Sequence, residues 1–323
     1  MDVILGVDIG GTFTKYGALD DHGNLLFQGS LPTRTHGSFS GFGEAFYLEI
    51  NDQLLAAGGR LKGIGVGSPM GNALSGHIEG AVNLEDLWGD NIPLVDAFSR
   101  LFKVPTYLMN DSNAAAVGEK YHGKARPYHD FLVLTLGTGL GCGIYSQGSL
   151  LIGKNGAAGE VGHITVEPGG RACNCGRFGC LENYVSATGL VRTTHELLQE
   201  KRLDIEDETY QDASAIALAA NRGDEVAKKA FQVTGNFLGQ ALANLAVIFD
   251  PEAIILAGGL ANAGDLLLDP VKTSFNKNVL KSLAGNVRIL ISKSEGKNMA
   301  VLGAASFAKN EMSSEMFQIT HEI

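Results

Sequence analysis

The chain has 323 residues, 45% of them apolar and 19% charged, proportions typical of a well-packed globular protein with one large domain or two ordinary ones. It has no run of about 18 or more apolar residues and no basic segment ahead of an apolar run at its start, so it predicts neither a membrane partner nor a secretory signal, and we expect a cytoplasmic location. The formal net charge of −10 argues against nucleic acid as a partner, because a binding face must neutralise phosphates with Lys and Arg.

The first half of the chain predicts alternating strands and helices. Apolar, partly β-branched runs at residues 3–7 and 13–19 flank a tight glycine turn and predict a strand, a turn and a second strand. Helical spacing follows at residues 43–57 and stops at a Gly-Gly pair, a common end for a helix. The further predicted elements are a strand at 61–67, a helix at 93–102, a strand at 104–109 and a helix at 112–120.

The opening pattern returns in the second half of the chain. Residues 131–136 and 142–145 are again apolar runs around a glycine turn, which indicates an internal duplication. Residues 187–249 have helical spacing with a charged connection near residues 204–208. Strands are expected at 253–257 and 287–291, a helix at 299–309, and a polar, frayed tail from residue 310.

The order of these elements indicates an α/β fold of two domains. Strands alternate with helices, and paired strands occur at each repeat, so each domain should contain a mixed sheet. We place the N-terminal domain at residues 1–115, with the C-terminal helix at 299–310 packing back on it. The C-terminal domain spans residues 116–298 and carries a cysteine-rich loop. The interdomain cleft is the expected ligand site.

The first glycine turn has the residue types of a phosphate site. Gly10 and Gly11 let the backbone approach phosphate oxygens closely, and Thr12 adds a hydroxyl donor. Asp8 can hold Mg²⁺ directly or through water, and Lys15 offers positive charge. A plain β-hairpin with a glycine turn is an equally good interpretation of these residues alone.

Two later glycine turns follow the same logic. Gly137, Thr138 and Gly139 come directly after a predicted buried strand, and a pair of such turns can hold phosphates from two sides. Gly258 and Gly259 follow the strand at 253–257, where a nucleoside could lie against bare backbone. For this last pair alone, a simple strand-to-helix turn is the better interpretation.

The cysteine-rich loop predicts a metal site. His163 with Cys173, Cys175 and Cys180 supplies one imidazole and three thiolates, a closed set typical of structural zinc. A cytosolic chain with clustered cysteines more often binds metal than forms disulfides. A reduced cluster without metal and a disulfide remain the alternatives. Cys142 lies outside the set and is interpreted as a small core residue.

Three motifs together resemble the ROK family of bacterial sugar kinases and repressors, within the hexokinase and actin-like superfamily. They are DIGGTFTK at residues 8–15, LGTGLG at 136–141, and GEVGH at 159–163 followed by CNCGRFGCLE at 173–182. The last is the most specific. The resemblance covers residues 3–308 and implies two actin-like (ribonuclease H-like) domains, with ATP and a hexose meeting in the cleft.

The resemblance also implies roles for individual side chains. Asp111 matches the family's catalytic base. Contacts to the sugar are implied for Asn83, Asn110, Glu160, His163 and Glu182. From the residues alone, Asp111 would sooner be the N-cap of the helix at 112–120, and the two glutamates could be solvated surface charges.

We therefore predict an ATP-dependent hexose kinase. Phosphoryl transfer needs alignment and charge neutralisation more than covalent chemistry. Asp111 is expected to accept the proton of the sugar's primary hydroxyl as that oxygen attacks the γ-phosphate. The expected cofactors are ATP, Mg²⁺ and a structural Zn²⁺. Homodimers are common in the family, so the resemblance implies a homodimer.

The sequence leaves the hexose open. Glucose is the first choice, but fructose, mannose, allose, N-acetylglucosamine and N-acetylmannosamine would use the same named ligands. A non-catalytic sugar-sensing regulator is a second class, against which the retained Asp111 and both phosphate turns count. Family repressors carry a helix-turn-helix ahead of the first strand, and here that strand begins at Val3. An actin-like structural ATPase, the third class, would lack the cysteine loop.

Overall fold

The computed structural model describes residues 1–202, 208–293 and 296–321, apart from the side chains of residues 82–83, 208 and 315–321. The charged connection predicted near residues 204–208 lies outside the described residues, except for the backbone of residue 208. None of the described helices is long and apolar enough to cross a membrane.

The described residues form twelve strands and ten α-helices. The strands are β1 (Asp2–Ile9), β2 (Phe13–Asp20), β3 (Leu25–Pro32), β4 (Arg60–Ser68), β5 (Ile78–Glu79), β6 (Asn91–Ile92), β7 (Thr106–Asn110), β8 (Phe131–Leu136), β9 (Leu140–Ser146), β10 (Ser149–Leu150), β11 (Ala253–Ala257) and β12 (Arg288–Ile291). The helices are α1 (Phe39–Ala57), α2 (Val82–Trp88), α3 (Leu94–Phe102), α4 (Asp111–His122), α5 (Glu182–Val185), α6 (Ala187–Glu200), α7 (Ala213–Asn221), α8 (Glu225–Phe249), α9 (Asp265–Asn278) and α10 (Met299–His321). Short 3₁₀ turns lie at Val161–His163, Glu208–Tyr210 and Gly259–Ala263.

The described chain divides into two compact units, of which the first is built from three segments. It comprises Met1–Pro127, Leu150–Ala158 and the described part of Ser294–Ile323. Its mixed sheet has the order β3-β2-β1-β4-β7, antiparallel from β3 to β1 and parallel from β1 to β7. β1 lies at the centre, and its side chains are buried along nearly the whole strand. A central strand covered on both faces explains the continuous apolar run in the sequence.

The second unit repeats the topology of the first. It comprises the described residues of Tyr128–Ser149 and Gly159–Lys293. Its sheet has the order β10-β9-β8-β11-β12, with β8 antiparallel to β9 and parallel to β11, which is parallel to β12. Counted from each unit's own first strand, the two orders are the same. The structure thus confirms both the α/β fold with two mixed sheets and the internal duplication.

Several elements differ from the sequence prediction, and three of these differences have a local cause. β3 was not predicted, because it is a half-exposed edge strand without a continuous apolar run. α1 begins at Phe39 rather than at residue 43, because the Ser38 side chain accepts the N–H of Gly41 and caps the helix there. The frayed tail predicted from residue 310 is wrong, since α10 continues to His321 through a segment that contains neither Gly nor Pro to end it.

α10 packs against the sheet and α4 of the first unit at backbone distance. A Cβ on Gly6 of β1 would lie 2.0 Å from the carbonyl oxygen of Val301. A Cβ on Gly303 of α10 would lie 1.8 Å from the carbonyl oxygen of Ala114. Only glycine allows such contacts, so these positions hold α10 against the strand and helix whose ends carry the site.

A pair of helical Gly→Ala substitutions tests this packing. Gly303→Ala should lower the free energy of unfolding by about 3 kcal/mol, because the methyl group must displace the α4 backbone. Gly43→Ala in α1 is the matched control, since its nearest neighbour is Leu101 Cδ2 at 3.6 Å, an ordinary contact. It should be neutral or stabilise by up to about 1 kcal/mol. Urea unfolding followed by the fluorescence of Trp88, the single tryptophan, measures both, and equal stabilities would contradict the packing argument.

Candidate functional site

The first glycine turn presents N–H groups because its carbonyl groups are engaged elsewhere. Thr33 binds two of them: its Oγ1 donates to the Gly10 carbonyl at 2.8 Å and its N–H to the Thr12 carbonyl at 2.9 Å. Arg34 Nε donates to the Gly11 carbonyl at 3.1 Å. The N–H groups of Gly11 and Thr12 have no acceptor among the described residues. Successive unpaired N–H groups form a concave anion site.

Asp8 lies at the end of β1, just ahead of this turn. Burial raises the pKa of its carboxyl, while a hydrogen bond from Asn298 and the charge of Lys15 act in the opposite direction. Asn298 Nδ2 donates to Asp8 Oδ2 at 2.9 Å. The Asn298 Oδ1 accepts the N–H groups of Ala300 and Val301 at the start of α10. Asn298 therefore orients the carboxylate and caps the helix with one side chain.

Asp111 is the first residue of α4, at the C-terminal end of β7. Its Oδ1 accepts the N–H of Ser112 at 2.7 Å. Asn110 is the N-cap, with its Oδ1 2.9 Å from the same N–H. Asn110 therefore occupies the N-cap position, and both side chains accept this N–H. The helix N-terminus stabilises the Asp111 carboxylate, and the end of β4 lies close by, since a Cβ on Gly67 would be 3.5 Å from Asp111 Cα.

The predicted sugar contact Asn83 lies in α2, but its side chain is outside the described part of the structure. The helix itself is joined to the first glycine turn. Arg34, which holds the Gly11 carbonyl, also forms two hydrogen bonds to the Asp86 carboxylate, at 2.8 and 3.1 Å. Arg34 thus connects the turn with the helix that carries Asn83.

The second glycine turn has the same construction as the first. The Ala187 N–H donates to the Gly137 carbonyl at 2.8 Å, and Thr188 Oγ1 donates to the Thr138 carbonyl at 2.9 Å. The Gly139 carbonyl accepts the N–H of Gly137 at 3.0 Å. Within the described residues, the N–H groups of Thr138 and Gly139 have no acceptor. Both units therefore carry a turn suited to phosphate oxygens.

The two glycines of the Gly258–Gly259 pair have different surroundings. Gly258 has a φ of +90°, and a Cβ there would lie 2.6 Å from the carbonyl oxygen of Leu136, at the end of β8. Close approach of the two strand ends accounts for this glycine. A Cβ on Gly259 would meet nothing within 4 Å, so no contact within the described protein requires glycine there.

The four predicted metal ligands converge in the second unit. The candidate donor atoms of His163, Cys173, Cys175 and Cys180 all lie within 4.8 Å of one another. His163 Nδ1 is 3.7 Å from Cys173 Sγ, and Cys175 Sγ is 3.7 Å from Cys180 Sγ. These separations fit donors around one tetrahedral ion with bonds of about 2.0–2.3 Å. All the cysteines are free, so no disulfide competes.

The thiols of this cluster also have the chemistry of a metal site. Burial raises the pKa of Cys180 to about 12, so a nearby cation is needed to ionise it at neutral pH. Cys175 is exposed, and the backbone N–H of Arg177 lowers its pKa. Cys142 is buried in β9, and burial raises its pKa to about 12, as the core interpretation requires.

Arg171 fastens the cysteine loop to the helices behind it. Its guanidinium donates to Thr193 Oγ1 at 2.9 Å and pairs with the Glu196 carboxylate. It also lies over the ring of Tyr184, 4.5 Å from the centroid. The side chain is 7% exposed, so the loop has a buried anchor that is independent of the metal cluster.

The remaining predicted sugar ligands flank this loop. Glu160 is exposed and precedes the 3₁₀ turn, where the His163 N–H donates to the Glu160 carbonyl at 3.1 Å. Glu182 is the first residue of α5, and its Oε2 accepts the N–H of Leu140 at 2.9 Å. Glu182 is therefore not a solvated surface charge, whereas the carboxylate of Glu160 is open to solvent.

The structure thus assembles the predicted residues as two sets. The first unit holds Asp8, the first glycine turn, Asn110 and Asp111, and the second holds the second glycine turn, Gly258, the metal cluster, Glu160 and Glu182. Sequence reasoning missed Thr33, Arg34 and Asn298. Only Asn298 left a signal, because Asn directly before a predicted helix is an N-cap pattern.

The family model and two glucokinases match nearly the whole chain. Residues 4–311 match the model of the ROK family. The chain is 36% identical to a glucokinase of Halalkalibacterium halodurans, with 96% of each chain covered. It is similar to the structure of a ROK family glucokinase from Streptomyces griseus in complex with glucose and AMPPNP, with a TM-score of 0.78, 31% identity, and 95% of this chain and 99% of that chain covered.

A regulator is also among the relatives. The chain is 33% identical to the DNA-binding transcriptional dual regulator NagC of Escherichia coli. That match covers 69% of this chain and 54% of NagC.

Proposed function

The chain belongs to the ROK family, and from that membership we propose that it is an ATP-dependent kinase that phosphorylates the primary hydroxyl of a hexose, with glucose as the preferred substrate. The observation that carries the proposal is the pair of glycine turns with engaged carbonyl groups and unpaired N–H groups. Such turns neutralise phosphate without basic side chains, which suits a chain with a net charge of −10. Glucose is favoured by the identity to glucokinases along nearly the full chain.

In the proposed reaction Asp111 is the general base. Its carboxylate accepts the proton of the primary hydroxyl as that oxygen attacks the γ-phosphorus, and the bond to the β,γ-bridging oxygen breaks to release ADP. The N-terminus of α4 stabilises the carboxylate before the reaction. The N–H groups of the glycine turns stabilise the charge on the phosphates.

Two metal ions have matching residues in the chain. Asp8 would hold Mg²⁺, which supplies charge neutralisation of the nucleotide phosphates, and Asn298 orients the carboxylate for it. The cluster of His163, Cys173, Cys175 and Cys180 fits Zn²⁺ in a closed structural site. This ion would order the cysteine loop and leave Nε2 of His163 to face a sugar hydroxyl.

The proposed sugar ligands are Asn83, Asn110, Glu160, His163 and Glu182. Asn83 and Asn110 belong to the first unit, and Glu160, His163 and Glu182 to the second. Several hydrogen bonds to hydroxyl groups discriminate between epimers, because a missing partner leaves a polar group unpaired. The exposed Glu160 carboxylate is available for such a bond.

A coupled assay for ADP release tests the proposal directly. Purified protein with Mg²⁺·ATP is supplied in turn with glucose, fructose, mannose, allose, N-acetylglucosamine and N-acetylmannosamine. We expect the highest kcat/KM with glucose. Preference for another sugar in the panel would correct the substrate, and absence of turnover with all of them would overturn the kinase.

A sugar-sensing regulator is the second candidate, and the similarity to NagC favours it. Such a protein would bind the hexose without phosphoryl transfer. The fluorescence of Trp88 reports binding independently of turnover, because this tryptophan lies in α2, the helix of Asn83. Hexose-dependent fluorescence without ADP release would select the regulator.

Asp8→Asn should separate stability from activity. A carboxyl whose pKa is raised in the folded state contributes stability below its ordinary value of 3.8, and that stability is lost as the pH rises through the folded-state pKa. The amide introduced by Asp8→Asn does not ionise, so the variant does not lose this stability as the pH rises. At pH 7 it should melt at or above the wild-type temperature. Without the carboxylate for Mg²⁺, kcat should fall by roughly 100-fold.

Asp2→Asn is the matched control on the same strand. Asp2 is half-exposed, and its hydrogen bond with Arg60 lowers its pKa, so its contribution to stability has the opposite pH dependence. This variant should retain full turnover and be no more stable than the wild type. A less stable but fully active Asp8→Asn protein would contradict the Mg²⁺ assignment.

A further inference from the structure

One carboxylate joins the second glycine turn to the cysteine loop. Glu182 Oε2 accepts the N–H of Leu140, the residue that follows the turn, at 2.9 Å. A Cβ on Gly139 would lie 2.5 Å from the same oxygen, so the glycine leaves the space that the carboxylate occupies. A hydrogen bond to an ionised acceptor is roughly twice as strong as one between neutral groups. Glu182 therefore sets the position of the turn where it enters β9.

The metal cluster lies directly behind this carboxylate. Cys180 is two residues before Glu182 and fully buried. Between them, Leu181 is also fully buried and donates its N–H to the Ile164 carbonyl at 3.0 Å, next to His163. An ion that fixes His163 and Cys180 therefore also fixes the backbone from which Glu182 projects.

The residues after α5 complete the connection. The N–H of Ala187 and the hydroxyl of Thr188 hold the carbonyl groups of Gly137 and Thr138. Thr188 Oγ1 also lies 2.9 Å from Ser186 Oγ, the N-cap of α6. The short segment 180–188, which begins at the metal ligand Cys180, thus holds both ends of the turn.

We propose that Glu182 is a positioning residue for the second glycine turn, and that through it the cysteine loop controls nucleotide affinity. The inference rests on the proposed function and deepens it, because it adds a nucleotide role to a residue expected only to bind the sugar. With Glu182 in place, the N–H groups of Thr138 and Gly139 share one orientation toward phosphate oxygens. A hexose that orders Glu182 should therefore raise the affinity for the nucleotide. Because linkage is reciprocal, the bound nucleotide should raise the affinity for the hexose by the same factor.

The test measures nucleotide binding without hexose. Titration of mant-ATP with Mg²⁺ into the wild type and Glu182→Ala should show about a tenfold weaker Kd for the variant, because its Leu140 N–H loses an acceptor. Thr188→Val removes the bond to Thr138 without touching a proposed sugar ligand. It should weaken mant-ATP by about threefold and leave glucose binding, read from Trp88 fluorescence, unchanged. Removal of the zinc by a chelator before the titration should weaken mant-ATP binding as well.

Thr194→Val is the matched control. It makes the same change in the same helix, but the Thr194 hydroxyl donates to the Leu190 carbonyl within α6 and does not contact the turn. Its affinity for mant-ATP should equal that of the wild type. Wild-type affinity in Glu182→Ala would overturn the inference; if that variant does not fold, wild-type affinity in Thr188→Val would overturn it. Phosphate transfer by the wild type tests the proposed function separately.

Discussion

Replacement of Asp111 by Asn should lower kcat by about 10²–10⁴-fold, the usual effect of losing a general base. The amide has nearly the shape of the carboxylate but cannot accept the hydroxyl proton at neutral pH. The helix should stay capped, because Asn110 Oδ1 accepts the same Ser112 N–H. The melting temperature should fall little, since a charge at a helix N-terminus contributes about 0.3–1 kcal/mol. Steady-state kinetics by ADP release and thermal unfolding measure the two effects.

Asp96→Asn is the control for this variant. Asp96 is an exposed acid in the first turn of α3, in the same unit, so the substitution repeats the chemical change at another helix start. It should leave kcat unchanged. The fluorescence of Trp88 should show glucose binding by Asp111→Asn with an affinity close to that of the wild type. Near-normal turnover in Asp111→Asn would show that the Asp111 carboxylate is not the general base.

Loss of the zinc should weaken the second unit's contribution to hexose phosphorylation without unfolding the protein. Cys180→Ser removes a buried donor from the cluster, so bound zinc should fall from about one ion per chain to a trace. We expect kcat/KM for the hexose to fall at least tenfold, because Glu182 and His163 lose their fixed orientation. Stability should fall by about 4 kcal/mol, the contribution of a ligand present at about a thousand times its Kd. The buried Arg171 network should keep the loop attached.

Metal analysis, thermal unfolding and thiol titration measure these effects. Cys142→Ala is the control, because it removes a sulfur from the same unit outside the cluster and should keep the zinc. After chelation, a thiol reagent at pH 8 should label the exposed Cys175, whose pKa is lowered, but not Cys142, which is buried and whose pKa burial raises to about 12. A wild-type protein that contains no zinc, or a fully active Cys180→Ser variant, would contradict the structural metal.

The sequence supports its strongest conclusions where short-range chemistry dictates the structure. The apolar runs at β1, β4, β8 and β11 are covered on both faces, so their composition alone predicts central strands. The cysteine loop can also be recognised from the sequence as a candidate metal site. Its four candidate ligands lie within eighteen residues of one another, and only a few coordination geometries accommodate them. The edge strand β3 escaped prediction, because a half-exposed strand needs no continuous apolar run.

The tertiary structure decided what depends on contacts between distant residues. Asn298 reaches Asp8 across 290 positions, and Arg34 reaches Asp86 across 52, so neither bond leaves a local pattern. The glycine turns illustrate the division. Their composition permitted either a plain hairpin or a phosphate site, and the direction of their N–H groups depends on whether distant donors engage their carbonyl groups. Thr33 and Arg34 do so in one unit, and Ala187 and Thr188 in the other. Sequence thus determined which segments could bind an anion, and folding determined which way their N–H groups point.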